Sequence, residues 1–263
     1  MSLTVLVRGA GDIASGIALR LYHSGFRVIM TEIEKPTTIR RTVAFSEAVL
    51  NGIQRVEDVT ARLAGSPKEA TDLVEKGIIP VLVDPGCSYR SYFSPDAQVD
   101  AILAKRNLGT SIGDAPVVVA VGPGFTAGID CHAVVETMRG HTLGRVYYEG
   151  SALPNTNIPG LIGGFRGERV IRAPRDGSFE SVRKIGDRVK EGEIVGYVEG
   201  EPVRTTIAGV LRGLLADGIP VTKGMKSGDV DPRGEVEYCR LVSDKALSVS
   251  GGVLEAILRL SHK

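Results

Sequence analysis

Cysteine, aromatic residues and excess charge are all scarce in this sequence. The three cysteines, Cys87, Cys131 and Cys239, are separated by 44 and 108 residues. This spacing fits neither a disulfide framework nor a CxxC zinc site, and it is typical of a reducing cytoplasm. Tryptophan is absent, and 7 Tyr and 6 Phe are too few to predict a base-stacking surface. Lys and Arg number 32 against 31 Asp and Glu, a net charge of +1, so we expect no nucleic-acid partner.

Long apolar runs are missing as well. The run Leu3–Val7 is interrupted by Arg8 and Asp12 and is too short for the apolar part of a signal peptide. No later run approaches the ~18 residues that a membrane helix needs. We therefore predict a cytoplasmic protein without a membrane segment. Its 263 residues, 43% hydrophobic and 24% charged, are typical of a globular chain with one large domain or two smaller ones.

The first 32 residues predict a strand, a glycine turn, a helix and a second strand. Leu3–Val7 is apolar and ends at the turn, apolar residues recur at helical spacing over residues 13–21, and Val28–Met30 is a second apolar run. Such a βαβ unit implies parallel strands. We therefore predict an α/β fold class with a Rossmann-like domain over residues 1–168.

The glycine turn after the first strand has the features of a dinucleotide-binding fingerprint. Gly9-Ala10-Gly11 precedes the helix, and Glu32 lies 21 residues after Gly11 at the end of the second strand. Glycines let the backbone approach a pyrophosphate, the helix N-terminus attracts it, and an acid can hold ribose hydroxyls. Asp12 opposes this interpretation, because a carboxylate in the first helical turn repels an anion unless it turns outward or acts as the helix cap. Nucleotide-type binding and a tight turn without a ligand both stay open.

A second glycine loop follows a later apolar strand. Val117–Val121 leads into Gly122-Pro-Gly-Phe-Thr-Ala-Gly128, whose successive amides can form an anion nest, with a turn that holds no ligand as the alternative. Ligands of open α/β sheets lie outside the carboxyl ends of strands, so we expect both loops to hold one negatively charged small molecule. Arg40 and Arg41 are either further phosphate contacts or a solvated basic face. The predicted cofactor-binding residues are Gly9, Ala10, Gly11, Asp12, Ala14, Glu32, Gly122, Gly124, Phe125 and Thr126.

No catalytic residue is assigned from the sequence, and no metal site is predicted. Cys131 beside His132 suggests an activated thiolate or, with Glu136 and His141, a metal cluster. Adjacent residues of a strand point to opposite faces, however, so a small buried thiol is the default interpretation. Cys87 lies in a polar loop and is the better candidate for an accessible sulfur, with no role as its default.

An internal repeat begins near residue 173. A shift of 32 residues superposes five positions, and each copy consists of short strands separated by turns. We predict that the two copies interlock into a small all-β barrel-sandwich domain of the biotinyl/lipoyl type over residues 169–235. The hairpin Gly200–Arg204 has no lysine, which excludes a carrier function there. The five pairs are Gly177/Gly209, Gly186/Gly218, Val189/Val221, Gly192/Gly224 and Gly196/Gly228.

Residues 236–263 are predicted to form a C-terminal docking helix that packs back on the chain. Apolar residues recur there at mixed helical spacing, with Gly251-Gly252 in the middle. Each glycine costs about 1 kcal/mol in a helix, which indicates a reason such as close approach to another backbone.

Seven short motifs extend over nearly the whole chain. They are Gly9-Ala-Gly-Asp12, Glu32-Ile-Glu-Lys-Pro36, Ala104-Lys-Arg-Asn-Leu-Gly-Thr110, Gly122-Pro-Gly-Phe-Thr-Ala-Gly128, Glu136-Thr-Met-Arg-Gly-His141, Tyr148-Glu-Gly-Ser151 and Gly228-Asp-Val-Asp-Pro-Arg233. Each is short, but jointly they are specific. Together they resemble the YqeB family of selenium-dependent molybdenum hydroxylase accessory proteins.

This resemblance implies a role in maturing molybdenum hydroxylases that carry labile selenium. The implied ligand is a phosphorylated molybdopterin-type cofactor, its dinucleotide form included, and the implied partner is the hydroxylase. A NAD(P)-dependent oxidoreductase is the alternative, because the same glycine loops suit either ligand. A third hypothesis is selenium or sulfur transfer through Cys87 or Cys131. Catalytic turnover and the oligomeric state, a homo-oligomer included, stay open.

Overall fold

The computed structural model describes residues 3–262, which form two compact units. The first unit comprises residues 3–34, 44–156 and 242–262, and the second comprises residues 35–43 and 157–241. The domain boundaries expected at residues 168 and 235 stay a prediction. Among the described residues, no helix has the length and apolar character needed to cross a membrane.

Nine strands of the first unit form one mixed sheet. They are β1 (Thr4–Arg8), β2 (Arg27–Glu32), β3 (Ile53–Val56), β4 (Val59–Ala64), β5 (Ile79–Val83), β6 (Ala97–Asp100), β7 (Val117–Val121), β8 (Ala133–Val135) and β9 (Val146–Tyr147). Their order across the sheet is β3-β4-β5-β2-β1-β6-β7-β8-β9. The seven strands from β4 to β8 in this order are parallel. The edge strands β3 and β9 are antiparallel to their neighbours.

The α-helices of the described chain belong to the first unit. They are α1 (Asp12–His23), α2 (Glu47–Asn51), α3 (Pro67–Glu75), α4 (Arg90–Phe93) and α5 (Asp244–Ser261). α1 lies where the apolar spacing predicted a helix, and it buries Ile13, Ile17 and Leu21. α3 begins after Ser66, whose hydroxyl accepts a hydrogen bond from the Glu69 amide at 3.2 Å and so caps the helix.

The Rossmann-like fold class predicted for the first domain is wrong. A Rossmann fold alternates parallel strands with covering helices, but that alternation does not continue past β5. Only the four-residue α4 lies between β5 and β6, only a 3₁₀ turn at Ile112–Asp114 lies between β6 and β7, and residues 122–132 between β7 and β8 contain no helix. Antiparallel strands also border the sheet on both sides. The pattern of the first βαβ unit is local and does not determine these later connections.

Helix α5 covers the part of the sheet that lacks crossover helices. It packs on α1 and on β7, and Gly16 of α1 makes room for it, since a Cβ at Gly16 would lie 2.7 Å from the Ala246 Cβ. A Cβ at Gly252 would lie 2.3 Å from the Gly144 carbonyl oxygen. The close backbone approach that the glycine pair indicated is therefore present at Gly252. The helix is part of the core of the first unit.

Eight short strands form two antiparallel sheets in the second unit. They are β10 (Val170–Arg172), β11 (Gly177–Ser181), β12 (Arg188–Val189), β13 (Ile194–Val198), β14 (Glu201–Arg204), β15 (Gly209–Leu214), β16 (Pro220–Val221) and β17 (Lys226–Asp231). One sheet has the order β10-β17-β15-β12 and the other β14-β13-β11-β16. Phe179, Leu211 and Leu214 are fully buried in the core of this unit.

The biotinyl/lipoyl-like barrel-sandwich predicted for residues 169–235 is also wrong as a fold class. The unit is not built from the repeat alone, because residues 35–43 belong to it as well. The Ile39 carbonyl accepts a hydrogen bond from the Leu214 amide at 2.8 Å, and the Ile39 side chain packs on the same core. An internal repeat identifies similar pieces of chain, but it carries no information about a remote segment that packs on them.

Candidate functional site

The loops that follow β1, β6 and β7 lie side by side at one edge of the first unit's sheet. These strands are parallel neighbours, so their carboxyl ends lie at the same edge, with adjacent strands about 4.8 Å apart. The first glycine turn (residues 9–12) follows β1, and the second glycine turn (residues 122–125) follows β7. Residues 101–106, here named the crossing segment, follow β6 between the two. Open α/β sheets hold their ligands at this edge.

The crossing segment packs against both glycine turns. A Cβ on Gly9 would lie 3.1 Å from the Ala101 carbonyl oxygen, and a Cβ on Gly124 would lie 2.6 Å from the Arg106 amide nitrogen. Both glycines have positive φ, +98° and +107°. The chain's own backbone therefore requires glycine at these two positions, where the sequence indicated close approach by a ligand. The space between the two turns is occupied by the crossing segment.

Glu32 lies against the first glycine turn. Its Oε2 accepts a hydrogen bond from the Ala10 amide at 2.9 Å, and its Oε1 accepts one from the Ile33 amide at 2.7 Å. Burial raises the pKa of Glu32 above its ordinary value, and the two amides offset this only in part. The Glu32 carboxylate was expected to hold ribose hydroxyls, and the Ala10 amide was expected to face the ligand. Instead, these two groups bind each other. Gly11 caps α1 without a side-chain hydrogen bond, Asp12 is the first helical residue, and Ala14 is buried.

Some main-chain amides in and next to the second glycine turn donate hydrogen bonds to other residues, and two find no acceptor among residues 3–262. The Gly122 amide donates to the Val135 carbonyl at 2.9 Å, and the Thr126 amide donates to Asp130 Oδ2 at 2.7 Å. The amides of Gly124 and Phe125 have no acceptor among residues 3–262. Gly124 is exposed, whereas the Phe125 side chain is buried. The turn therefore presents two main-chain donors at a surface position.

Lys105 and Arg106 of the crossing segment are functional candidates that sequence reasoning missed. Both are exposed, and they lie five and six residues after the end of β6, beside the second glycine turn. Leu103 and Lys105 have φ values of +61° and +63°, although neither is glycine. Left-handed backbone at bulky residues is uncommon and is concentrated at functional sites. The available signal was two adjacent cations in the loop that follows a strand.

The buried Arg8 side chain connects the loops at this edge of the sheet through hydrogen bonds. Its guanidinium is buried and donates to Thr110 Oγ1 at 3.0 Å, to the Leu108 carbonyl at 2.9 Å and to the Pro85 carbonyl at 3.0 Å. The Thr110 hydroxyl donates to Asp100 Oδ2 at 2.6 Å, and Arg8 forms an ion pair with the same oxygen at 3.4 Å. Each of these groups is already paired, so the network is structural and rigidifies the edge.

The cysteines of this unit are buried. Cys87 is 3% exposed, packs beside Leu6 and Leu82, and has its Sγ 3.5 Å from Thr31 Oγ1. The expectation of an accessible sulfur at Cys87 is therefore wrong, because its loop folds back onto the sheet. Burial raises the pKa of Cys87, and burial together with the Asp130 charge raises the pKa of Cys131 to about 12.

His132 and Glu136 are held by the backbone rather than by each other. His132 Nδ1 accepts a hydrogen bond from the Val118 amide at 2.9 Å, and burial lowers the pKa of this imidazole. Glu136 is buried and accepts from the amides of Thr137, Met138 and Leu153 at 2.7, 2.7 and 2.8 Å. Within residues 3–262, no group of three or more His, Cys, Asp and Glu side chains is arranged to hold a metal ion.

Arg40 and Arg41 belong to the second unit, where both bind main-chain carbonyls. Arg40 donates to the carbonyls of Tyr238 and Leu241 at 3.0 and 3.2 Å, and Arg41 donates to the Leu214 carbonyl at 2.8 Å. These contacts fix segment 35–43 to its own unit. The geometry gives neither arginine a phosphate-binding arrangement.

The fold and this edge define an α/β protein with a mixed sheet and a candidate site for an anionic small molecule. No protein-family model matches the chain. The chain is similar to "Uncharacterized protein YqeB" of Escherichia coli (strain K12), with 57% identity over 259 residues, which is 98% of this chain and 48% of that protein. The chain therefore spans about half the length of this curated relative. The similarity supports the YqeB family that the motifs predicted, and the relative's name states no activity.

Solved structures give only weak similarity. The product-bound ectoine utilization protein EutE (DoeB) of Ruegeria pomeroyi aligns with 87% of this chain and 52% of its own at 14% identity and a TM-score of 0.23. An aspartoacylase family protein of Mesorhizobium loti aligns over 88% and 85% of the two chains at 12% identity and a TM-score of 0.28. A succinylglutamate desuccinylase/aspartoacylase of Rhodobacter sphaeroides aligns over 87% and 85% at 17% identity and a TM-score of 0.28. Alignments this weak carry no conclusion about fold or activity.

Proposed function

We propose that this protein is an accessory factor for the maturation of selenium-dependent molybdenum hydroxylases. In this role it binds a molybdopterin-type cofactor, its dinucleotide form included, at the carboxyl edge of the first unit's sheet and transfers it to a hydroxylase in the cytoplasm. The resemblance of the seven motifs and the similarity to YqeB of Escherichia coli support the family side of this proposal.

One structural observation carries the ligand side of the proposal. The crossing segment brings two exposed cations, Lys105 and Arg106, to the turn whose Gly124 and Phe125 amides are unused within residues 3–262. Main-chain donors and adjacent cations at a strand end are the groups that hold phosphate-bearing ligands.

The alternative, a NAD(P)-dependent oxidoreductase, has less support. Dinucleotide binding uses the first turn's amides for pyrophosphate and the acid after the second strand for ribose. In this chain the Glu32 carboxylate binds the Ala10 amide at 2.9 Å, so the acid and the donor satisfy each other. A dinucleotide would have to break this contact before either group could bind it.

The test is cofactor retention by the full chain. The protein is purified from a host that makes the molybdenum cofactor and from a matched host blocked in cofactor synthesis. Molybdenum is measured by mass spectrometry and pterin by fluorescence after oxidation, both per mole of chain. Retained pterin in the first preparation and none in the second is the expected result. Absence of pterin from both, with no binding of added cofactor, would contradict the proposal.

A calorimetric titration distinguishes the alternative. Micromolar binding of NAD(H) that is abolished by Gly11→Arg would favour the oxidoreductase. We expect no heat of binding for NAD(H), because Glu32 already occupies the Ala10 donor.

A further inference from the structure

The two glycine turns differ in their charge. The first turn has the Glu32 carboxylate on its Ala10 amide and a second carboxylate, Asp12, at the start of α1. An incoming anion would have to displace one carboxylate and lie beside another. Like charges a few ångströms apart repel each other, and they do so more strongly where water is partly excluded. The helix N-terminus therefore does not compensate for the two acids that surround it.

The second turn has the opposite character. Gly124 and Phe125 present amides with no acceptor among the described residues, and the buried Phe125 side chain holds the turn against the core. The acid next to this turn, Asp130, is already bound by the Thr126 amide at 2.7 Å and by Asn107 Nδ2 at 3.4 Å. Asp130 keeps its negative charge beside this turn, and the two exposed cations Lys105 and Arg106 exceed it by one charge.

Arg106 is positioned at this turn by its backbone. Its amide nitrogen and Cα both lie 2.6 Å from where a Gly124 Cβ would be. On the other side, Asn107 Oδ1 accepts from the Gly109 and Thr110 amides at 2.8 Å each, which fixes the chain immediately after Arg106. The left-handed conformation of Leu103 and Lys105 sets the path before it. The guanidinium is exposed and starts from a fixed point beside the two unused amides.

We propose that Arg106, together with the main-chain amides of Gly124 and Phe125, binds a phosphate group of the ligand, and that the first glycine turn does not. This inference rests on the proposed function and narrows it to one subsite and one chemical class, a phosphate ester or diphosphate. A guanidinium can bind two phosphate oxygens at once, and the amides supply donors without charge. Lys105 adds positive charge to the same subsite.

The test uses inorganic pyrophosphate as the probe and the full chain as the protein. Binding is measured by isothermal titration for the wild type, Arg106→Ala, Arg106→Lys and Arg175→Ala. Arg175 is an exposed arginine of the second unit and serves as the matched control. We expect Arg106→Ala to weaken binding about tenfold or more, Arg106→Lys to weaken it less, and Arg175→Ala to leave it unchanged. Because Arg106 is exposed, the thermal unfolding midpoint should be the same for all four proteins.

Two outcomes would overturn the subsite. One is the absence of pyrophosphate binding to the wild type at millimolar concentration, and the other is equal binding by the wild type and Arg106→Ala. Pterin retention in the cofactor-producing host separates this inference from the proposed function. If pyrophosphate binding depends on Arg106 but no pterin is retained, the phosphate subsite is supported and the proposed function is contradicted. If the wild type and Arg106→Ala retain pterin equally, the proposed function is supported and the phosphate subsite is contradicted.

Discussion

Burial determines what the three cysteines of this chain can do. Cys87, Cys131 and Cys239 are all buried, and burial raises the pKa of each thiol. The thiolate is the nucleophilic form of cysteine, and reactive cysteines are partly exposed with lowered pKa values. Selenium or sulfur transfer through Cys87 or Cys131 therefore has no support from the geometry.

This leads to a prediction about thiol alkylation. With the pKa of Cys131 raised to about 12, about one thiol in 10⁴ is ionised near pH 8. Iodoacetamide at this pH should leave the folded protein unmodified over an hour, whereas all three cysteines should react in guanidinium chloride. Intact-mass spectrometry reads the number of added groups. Rapid modification of Cys87 or Cys131 in the folded protein would reopen the transfer hypothesis.

A second residue-scale prediction concerns Glu32 and pH. Burial raises the pKa of Glu32 above its ordinary 4.5, so the folded chain keeps this proton to higher pH than the unfolded chain does. The contribution to stability is full below the ordinary value and is lost as pH rises through the raised value. In Glu32→Gln, the free energy of unfolding should therefore fall less than in the wild type as pH rises from the ordinary pKa of Glu32 through its raised value. Urea denaturation at a series of pH values measures it.

Glu34→Gln is the matched control for this experiment. Glu34 is two residues from Glu32 and is exposed, so removal of its charge should leave the pH dependence of the wild type in place. If the two variants give the same curve, the pH dependence does not come from the buried Glu32 carboxyl group.

At the scale of elements, α5 gives a prediction in which adjacent glycines have opposite effects. A Cβ at Gly252 would lie 2.3 Å from the Gly144 carbonyl oxygen and 2.8 Å from Val135 Cγ1. Gly252→Ala should therefore separate α5 from the backbone at Gly144 and lower the free energy of unfolding by about 1–3 kcal/mol. Chemical denaturation with a two-state fit measures the change.

Gly251→Ala is the control in the same helix. A Cβ at Gly251 would meet nothing within 4 Å, so alanine should improve helix propensity and raise the free energy of unfolding by about 0.5–1 kcal/mol. Destabilisation of similar size by both substitutions would mean that backbone approach at Gly144 is not the reason for the glycine pair.

Comparing the helices and strands with the sequence shows which elements a sequence can reveal. Residues that repeat at helical spacing identify α1, and a glycine pair in a helix indicates a close backbone approach, because both signals are local. The order of the nine strands depends on pairings between distant segments. The role of α5, which covers strands without crossover helices, likewise depends on residues more than 100 positions away. The Rossmann interpretation failed because it extended one local unit to the whole domain.

The candidate site likewise has some features that the sequence indicates and others that it does not. Glycine at a strand end is a visible signal, and it located both turns correctly at the sheet edge. The crossing segment is different, because the residues that bend it are Leu103 and Lys105 rather than glycine. The contact between Glu32 and the Ala10 amide joins the end of β2 to the loop that follows the neighbouring strand β1. Neither feature has a local sequence pattern.

For the molecule as a whole, the balance of charge predicts what the phosphate subsite does not bind. The 32 basic and 31 acidic residues leave a net charge of +1, so long-range attraction of a polyanion is weak, and the field of Lys105 and Arg106 extends only about 8 Å at physiological salt. A phosphate ester is held by direct contact with this pair, whereas a nucleic acid needs a basic surface many charges long. Fluorescence anisotropy with a labelled DNA duplex at about 0.15 M salt should therefore show no binding, under conditions in which pyrophosphate still binds. Binding of the duplex that falls steeply with added salt would mean that an extended basic surface is present and that Arg106 belongs to it.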